Sequence, residues 1–445
     1  MIGKLAIACV LAQFATVFLI FIDNMMAGRH GPQTLAAFGV ATQIIIPILI
    51  LSMGFFFAIN SIVATLYGKK LIEEINVVIS TCFYMALISS IICIALLNNI
   101  EPLLDFFAIK KELYPGIKGY LGNISYGIFP YLLFLVLRFT SEGLLKSKYV
   151  MYCAISAIPV KVLLNLLFIY GALGFEGEGA SGMGKATALT WTFMLLILLT
   201  IMLRNKNIKQ LGISISVSRF SRKVCLEIIK VGGPIAFSMG IGVIFMSITG
   251  LMIGSISAHA IAAHQSAFNF VTLISMLFQG ITVAVTSRVA YLNGANKTGN
   301  IPMVINIAIA MVISVALLNA CILLFNATLI GKIYSHDTLL ISMIANLLFW
   351  GALLQVPQAL QEVAAAVLRG FKITLQPTII YSATFSGSLI VGYFLSTHWQ
   401  FEESGYWMAI VLANILTAIG LFYMLFVKFH KATPLISQQV SSLKN

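Results

Sequence analysis

Charged residues are scarce in this 445-residue chain, where Asp, Glu, Lys and Arg together make up 9% and hydrophobic residues 60%. A soluble domain carries about 25% charged residues, so this composition excludes a soluble globular protein. The chain also lacks a glycine-rich loop that ends in Gly-Lys-Ser/Thr, the signature of phosphate binding in ATPases. Its six cysteines show no paired spacing and indicate no disulfide framework. We therefore expect a membrane protein that is not an enzyme, binds no metal or other cofactor, and draws any energy from an ion gradient.

Long apolar runs recur from the start of the sequence to its end and predict an all-α polytopic membrane protein. Each run has enough residues to cross a bilayer as a helix, whereas a β-barrel would show alternating segments of about ten residues. We predict twelve transmembrane helices, at residues 4–28, 34–68, 76–99, 118–145, 149–171, 183–203, 226–254, 260–291, 302–327, 339–368, 377–396 and 406–428.

Basic residues are concentrated in every other loop of the predicted topology. Residues 204–223 hold six of them and no acid, whereas Glu176 and Glu178 lie in an intervening loop. This positive-inside pattern predicts that both termini are cytoplasmic. The net charge of +13 is therefore explained by topology, and we expect no nucleic-acid partner.

The second half of the chain repeats the first. A shift of 226 residues places Gly28 on Gly254, and Pro130 matches Pro357 at nearly the same shift. Six spans in each copy preserve orientation, which predicts two six-helix lobes related by a pseudo-two-fold axis along the membrane normal. The predicted segments are an N-terminal lobe, a basic cytoplasmic linker, a C-terminal lobe and a disordered cytoplasmic tail, at residues 1–204, 205–223, 224–430 and 431–445.

A lone carboxylate, Asp23, lies deep in the first apolar run. A charged side chain at the centre of a bilayer costs roughly 2.5–3.5 kcal/mol even on the translocon scale, so it is rarely present without a partner or a function. Lys161 and Asn165 lie one turn apart on span five and share a helix face. We expect Lys161 to pair with Asp23. The alternatives are that Lys161 extends to the surface and that Asp23 reaches the headgroups.

Two further polar sets lie inside predicted spans. Arg138 and Glu142 are four residues apart on span four and predict an intrahelical pair near the membrane edge, with a structural role or, alternatively, a role in gating. Gln355, Gln358 and Glu362 form one polar stripe on span ten. Such a stripe is more typical of a cavity lining than of a lipid-facing surface.

Several stretches resemble the multidrug and toxic compound extrusion (MATE) family of cation-coupled antiporters. They are Gln13 with Asp23-Asn24-Met25-Met26-Ala27-Gly28, Asn165 with Ile169-Tyr170-Gly171, Ala262-Ala263-His264-Gln265, and Ala366-Val367-Leu368-Arg369-Gly370-Phe371-Lys372. The resemblance implies a V-shaped, two-lobed transporter that exchanges protons or sodium for organic, often cationic, compounds. It also implies that Asp23 binds or releases the coupling ion. We expect Gln13 to line the substrate cavity together with the polar stripe of span ten.

Three positions depart from the family pattern. Lys161 stands where the family often has asparagine, Gly242 where many members have a glutamate, and Gln358 where they have an aspartate. The usual second-lobe ion site is therefore incomplete, although Glu362 lies one turn beyond Gln358.

The function expected from these features is a secondary antiporter that exports amphipathic or cationic organic compounds in exchange for protons. A sodium ion would be repelled by the ammonium of Lys161, which favours the proton. The alternatives are a sodium-coupled exporter, a flippase for lipid-linked precursors from the same superfamily, and an uncoupled sensor or assembly partner. The expected protein is a monomer in the bacterial inner membrane, and its partners are a small organic substrate and the lipid bilayer.

Overall fold

The structure is a computed structural model, and it describes residues 2–106, 109, 111–174, 176–205, 210, 212–213 and 219–442. Side chains are described for these residues with the exception of 2, 4, 32, 106, 173, 258 and 429–442. The described backbone is mostly helical and contains no strand.

Twelve long helices make up most of the described part of the chain, and each is long and apolar enough to cross a membrane. They are α1 (Ile2–His30), α2 (Pro32–Gly68), α3 (Ile72–Asn98), α4 (Tyr114–Gly143), α5 (Lys148–Tyr170), α6 (Ala180–Arg204), α7 (Arg222–Gly254), α8 (Ala258–Gly294), α9 (Ile301–Phe325), α10 (Thr338–Gly370), α11 (Leu375–Thr397) and α12 (Glu402–Ser442). Short helices cover Glu101–Phe106 and Ala327–Tyr334, and 3-10 turns cover Lys111–Leu113, Ala172–Gly174 and Thr298–Asn300. The predicted fold class and the twelve predicted spans are confirmed.

Some helices begin earlier than their apolar runs. α3 begins at Ile72 rather than at residue 76, because Glu73 and Glu74 lie in its first turn, where the helix dipole favours acidic side chains. α4 begins at Tyr114 with Pro115 in the first turn, a position where a missing backbone N–H costs nothing. Hydropathy alone detects the apolar part of a spanning helix and misses such polar first turns.

The chain divides into two compact units. The first comprises Met1–Gly240 with Ser287–Ile301, and the second comprises Ile241–Thr286 with Pro302–Asn445. The boundaries between these units fall inside α7, inside α8 and after the first residue of α9. The sequence-based domain boundaries stay a prediction. So does the disordered tail: α12 is helical to Ser442, but side chains beyond residue 428 lie outside the described part of the chain.

Glycines bring α6 very close to two other helices of the first unit. A Cβ on Gly182 would lie 2.0 Å from the carbonyl oxygen of Phe168 on α5, and one on Gly184 would lie 2.5 Å from that of Tyr120 on α4. Small residues allow this kind of backbone approach in membrane helices. The close contact places Thr187, which follows on α6, next to the polar face of α5.

The second unit has a core of its own, in which Trp407 of α12 is almost fully buried. Its indole Nε1–H donates a hydrogen bond to Nδ1 of His264 on α8 at 3.2 Å. The His264 ring also stacks on Phe268, with ring centroids 5.9 Å apart. His264 thus provides the hydrogen-bond acceptor that the buried N–H of Trp407 needs.

Candidate ion-coupling site

Three helices of the first unit meet at the carboxylate of Asp23. α1 supplies Asp23, which is 7% exposed, and α5 supplies Lys161, which is 1% exposed. The Nζ atom of Lys161 lies 3.0 Å from Oδ2 of Asp23. The two residues that the sequence analysis expected to pair are thus in direct contact, well away from solvent. Their role in coupling stays a prediction.

Asn165, one turn after Lys161 on α5, completes the coordination of the carboxylate. Its Nδ2 atom donates a hydrogen bond to Oδ1 of Asp23 at 2.8 Å and lies 3.5 Å from the sulfur of Met26. Each oxygen of Asp23 therefore has its own donor. The Oδ1 atom of Asn165 is buried and has no hydrogen-bond partner among the described residues.

Thr187 of α6 is the second partner of the ammonium. Lys161 Nζ donates a hydrogen bond to Thr187 Oγ1 at 2.6 Å, and that hydroxyl donates to the carbonyl oxygen of Met183 at 2.8 Å. The sequence analysis missed Thr187. Threonine often satisfies its hydroxyl on its own helix, so its presence in an apolar run carries little information. Gly182 and Gly184, which allow α6 to approach α5 and α4 closely, are the sequence feature that could have indicated a residue of α6 near Lys161.

Tyr170 ties α1 to α5 just beyond the ion pair. Its hydroxyl donates a hydrogen bond to the carbonyl oxygen of Met26 at 2.8 Å, and Met26 lies one turn after Asp23. The Tyr170 ring also meets His30 edge-on at 5.5 Å, and His30 Nδ1 lies 2.8 Å from Thr34 Oγ1. The end of α1 is thus fixed to α5 by the contacts of Tyr170, and the ion pair joins the same two helices about two turns earlier on α1.

Arg138 and Glu142 form the predicted pair four residues apart on α4, with Nε and Oε1 at 3.1 Å. They are 4% and 1% exposed, so the pair lies inside the first unit rather than at an exposed edge. Arg138 Nη2 also donates to Oε1 of Gln13 at 2.5 Å, and Ser287 donates to Asn60, which adjoins Glu142. Gln13, expected in the substrate cavity, therefore serves as a partner of Arg138. Whether the pair gates transport stays a prediction.

The predicted polar stripe of α10 separates into distinct environments. Gln355 is fully buried and accepts a hydrogen bond from Asn319 at 3.1 Å. Gln358 is half-buried and accepts from Ser275 at 3.3 Å. Glu362 is also half-buried, and its Oε2 atom lies 3.4 Å from Nη2 of Arg369.

Two further positions of the second unit, 242 and 249, carry no charged side chain. A Cβ on Gly242 would lie 3.0 Å from the hydroxyl of Tyr381, whose ring stacks on Phe385 with centroids 4.1 Å apart. Thr249, which corresponds to Asp23 in the repeat, is buried and uncharged. Among the described residues of this unit, no buried ion pair matches that of Asp23. The two halves therefore share a fold but differ in the chemistry of their interiors.

Twelve apolar spanning helices and a buried, fully coordinated ion pair define an integral membrane transporter. The family model MatE matches residues 8–167 and 234–394, one segment in each half, and the chain belongs to this family. Family members of this kind are transporters rather than enzymes.

Relatives agree with this assignment, and a solved structure has the same fold. The chain is 30% identical over 425 residues to "Multidrug resistance protein NorM" of Photobacterium profundum, covering 94% of this chain and 92% of that protein. It is 27% identical over 418 residues to "Probable multidrug resistance protein NorM" of Bacillus subtilis, covering 93% and 92%. The solved structure described as "Outward-facing conformation of a multidrug resistance MATE family transporter of the MOP superfamily" has a TM-score of 0.88 at 19% identity, covering 97% of this chain and 95% of that one.

Proposed function

We propose that this protein is a secondary active exporter of amphipathic or cationic organic compounds, driven by protons that Asp23 binds and releases. The relatives named above are described as multidrug resistance proteins, which supports export of organic compounds. The observation that carries the proposal is the 3.0 Å contact between Asp23 and Lys161 inside the first unit. We place the protein in the bacterial inner membrane as a monomer.

The geometry favours a proton over a sodium ion. Sodium would need several oxygen ligands around the carboxylate, but one carboxylate oxygen faces the Lys161 ammonium and the other faces the N–H of Asn165. Two unit charges 4 Å apart repel by about 4 kcal/mol at an effective dielectric constant of 20. A second cation at this carboxylate therefore has to displace Lys161, whereas a proton adds to the carboxylate without needing that space.

Protonation would change what holds α1 in place. With Asp23 charged, the ion pair and the Asn165 hydrogen bond join α1 to α5. A proton on Asp23 removes the attraction to Lys161, and the ammonium keeps only Thr187. The free acceptor on Asn165 can then receive a hydrogen bond from the protonated carboxyl group. Proton uptake thus loosens α1 from α5 and alters the interior that a substrate would occupy.

The proposal assigns coupling to the first unit alone. In the described part of the second unit, Glu362 lies against Arg369 rather than standing as a free carboxylate, and the neighbouring amides are hydrogen-bonded. Recognition of a substrate cation by Glu362 would require Arg369 to move away. We therefore expect substitution of Glu362 to have a small effect on the recognition of cationic substrates. The effect of substituting Asp23 on proton coupling should be larger.

Transport in proteoliposomes tests the proposal. We expect an imposed proton gradient to drive uphill movement of a fluorescent organic cation, and a sodium gradient alone to drive none. Asp23→Asn should fold but transport nothing uphill, whereas Asp105→Asn, an exposed carboxylate on the short helix Glu101–Phe106, should behave as wild type. Sodium-driven transport that persists with the proton gradient collapsed would contradict proton coupling.

A further inference from the structure

The segment between the two halves is attached to α3 by its backbone. Three polar side chains on α3 hydrogen-bond to it, one near the middle of the segment and two at its end. The bonds are Asn76 Nδ2 to Gly212 O at 3.0 Å, Arg219 N to Ser80 Oγ at 3.1 Å, and Ser221 N to Thr81 Oγ1 at 3.1 Å. Ser80 and Thr81 are buried beneath this attachment. The described parts of the segment are therefore docked on the first unit.

The docked segment lies along the first three turns of a spanning helix. α3 begins at Ile72, so Thr81 is about three turns into the helix, roughly 14 Å along its axis. Phe220 is 54% exposed, and its ring meets that of Tyr84 edge-on at 6.0 Å. Tyrosine side chains such as that of Tyr84 are enriched at the membrane–water interface. The segment is thus placed at the membrane surface, on the side that the charge pattern predicts to be cytoplasmic.

Three exposed cations flank this ring: Arg219, Arg222 and Lys223. In the described part of the chain none of the three forms an ion pair with a carboxylate. Residues 204–223 contain six basic residues and no acid. The segment itself therefore carries only positive charge.

We propose that Arg219, Phe220, Arg222 and Lys223, which we call the linker site, bind the headgroup of an anionic phospholipid such as phosphatidylglycerol. Arginine recognises phosphate oxygens through paired N–H donors, and lysine adds a point charge. The acyl chains fit the apolar surface of α7 below, where Leu226 and Ile229 are about half exposed. This inference is independent of the proposed ion coupling.

Binding of the lipid strengthens the attachment of the linker to α3. The headgroup offsets the mutual repulsion of the three cations while they lie together at the surface. Each basic residue near an anionic membrane surface contributes roughly fivefold in affinity, so three should contribute roughly a hundredfold. The segment that joins the halves is then held in place by a lipid as well as by its hydrogen bonds.

The test compares two charge-matched variants of the full-length protein in detergent. R219Q/R222Q/K223Q removes the cations of the linker site, and K69Q/K70Q/K297Q removes three exposed cations from other loops. Retained phosphatidylglycerol is counted by native mass spectrometry, and thermal unfolding is followed with phosphatidylglycerol or phosphatidylcholine added. We expect wild type and the control variant to bind phosphatidylglycerol selectively and to unfold at higher temperature with it. R219Q/R222Q/K223Q, the linker variant, should unfold at the wild-type temperature without lipid. It should lose most of the selective binding of phosphatidylglycerol and most of the stabilisation by it.

Three results would overturn the proposal. The first is equal stabilisation of the wild type by both lipids, and the second is an unchanged response in the linker variant. The third is an equal loss in both variants, since that would mean a diffuse attraction to all basic loops. Glycerol 3-phosphate, which has a phosphate and no acyl chains, should not stabilise the protein, and stabilisation equal to that by the lipid would instead mean a soluble phosphate ligand.

Discussion

Removing one charge of the buried pair should destabilise the protein far more than removing both. Lys161 and Asp23 are each more than nine-tenths buried and lie 3.0 Å apart, so deletion of either leaves the other without a counter-charge. Breaking a buried pair in this way costs about 3–5 kcal/mol. We expect Lys161→Ala to be poorly expressed and Asp23→Asn to be destabilised. Asp23→Asn combined with Lys161→Asn should be better folded but unable to couple transport.

A double-mutant cycle in detergent measures this directly. If the residues were independent, the losses would add to about 6–10 kcal/mol for the double variant. The structure predicts that the double variant loses no more than either single one. The exposed pair of Glu178 and Lys185 is a matched control, because exposed ion pairs contribute only about 0–1 kcal/mol. Additive losses at Asp23 and Lys161 would refute the pairing and return Lys161 to a role at the surface or with substrate.

Three smaller predictions concern other contacts within the first unit. Thr187→Val should keep the protein folded but shift the pH dependence of transport, measured in proteoliposomes, since Lys161 loses its second partner. Gly182→Ala should lower the unfolding temperature in detergent by driving a methyl group into the α5 backbone, whereas Gly122→Ala, which meets nothing within 4 Å, should not. The hydrogen bond from its lysine partner lowers the pKa of Glu178, so its contribution to stability is present at neutral pH and is lost as pH falls below the ordinary value of 4.5. Glu178→Gln should therefore unfold earlier than wild type at pH 7, with a difference that disappears in strong acid.

The strongest features of the fold and site follow from the cost of leaving polar groups in lipid. Apolar runs in lipid must be helical, so twelve spans could be predicted without any knowledge of packing. The same cost requires a partner for Asp23, and Lys161 with Asn165 formed the best available face in that half of the sequence. Prediction succeeded there because charge inside a membrane restricts the choices severely.

Uncharged and paired groups could not be located in the same way. A polar stripe on one helix shows which residues share a face, but the neighbouring helix decides whether that face is buried. Gln355 therefore lies inside the second unit with Asn319, and Glu362 reaches Arg369 two turns away. The contact of Gln13 with Arg138, 125 residues later, likewise has no signal in the sequence, and a place for Gln13 in the substrate cavity stays a prediction.

Counterflow of protons with substrate is the most direct test of the central claim. Proteoliposomes that contain a pH-sensitive dye and no sodium receive a pulse of organic cation, and internal pH is recorded with substrate movement. In the wild-type protein, substrate entering by exchange should drive protons out and raise the internal pH, whereas Asp23→Asn should move substrate downhill with no proton movement. Proton movement that persists in Asp23→Asn, or exchange that requires sodium in the wild type, would contradict the assignment of Asp23 as the coupling carboxylate.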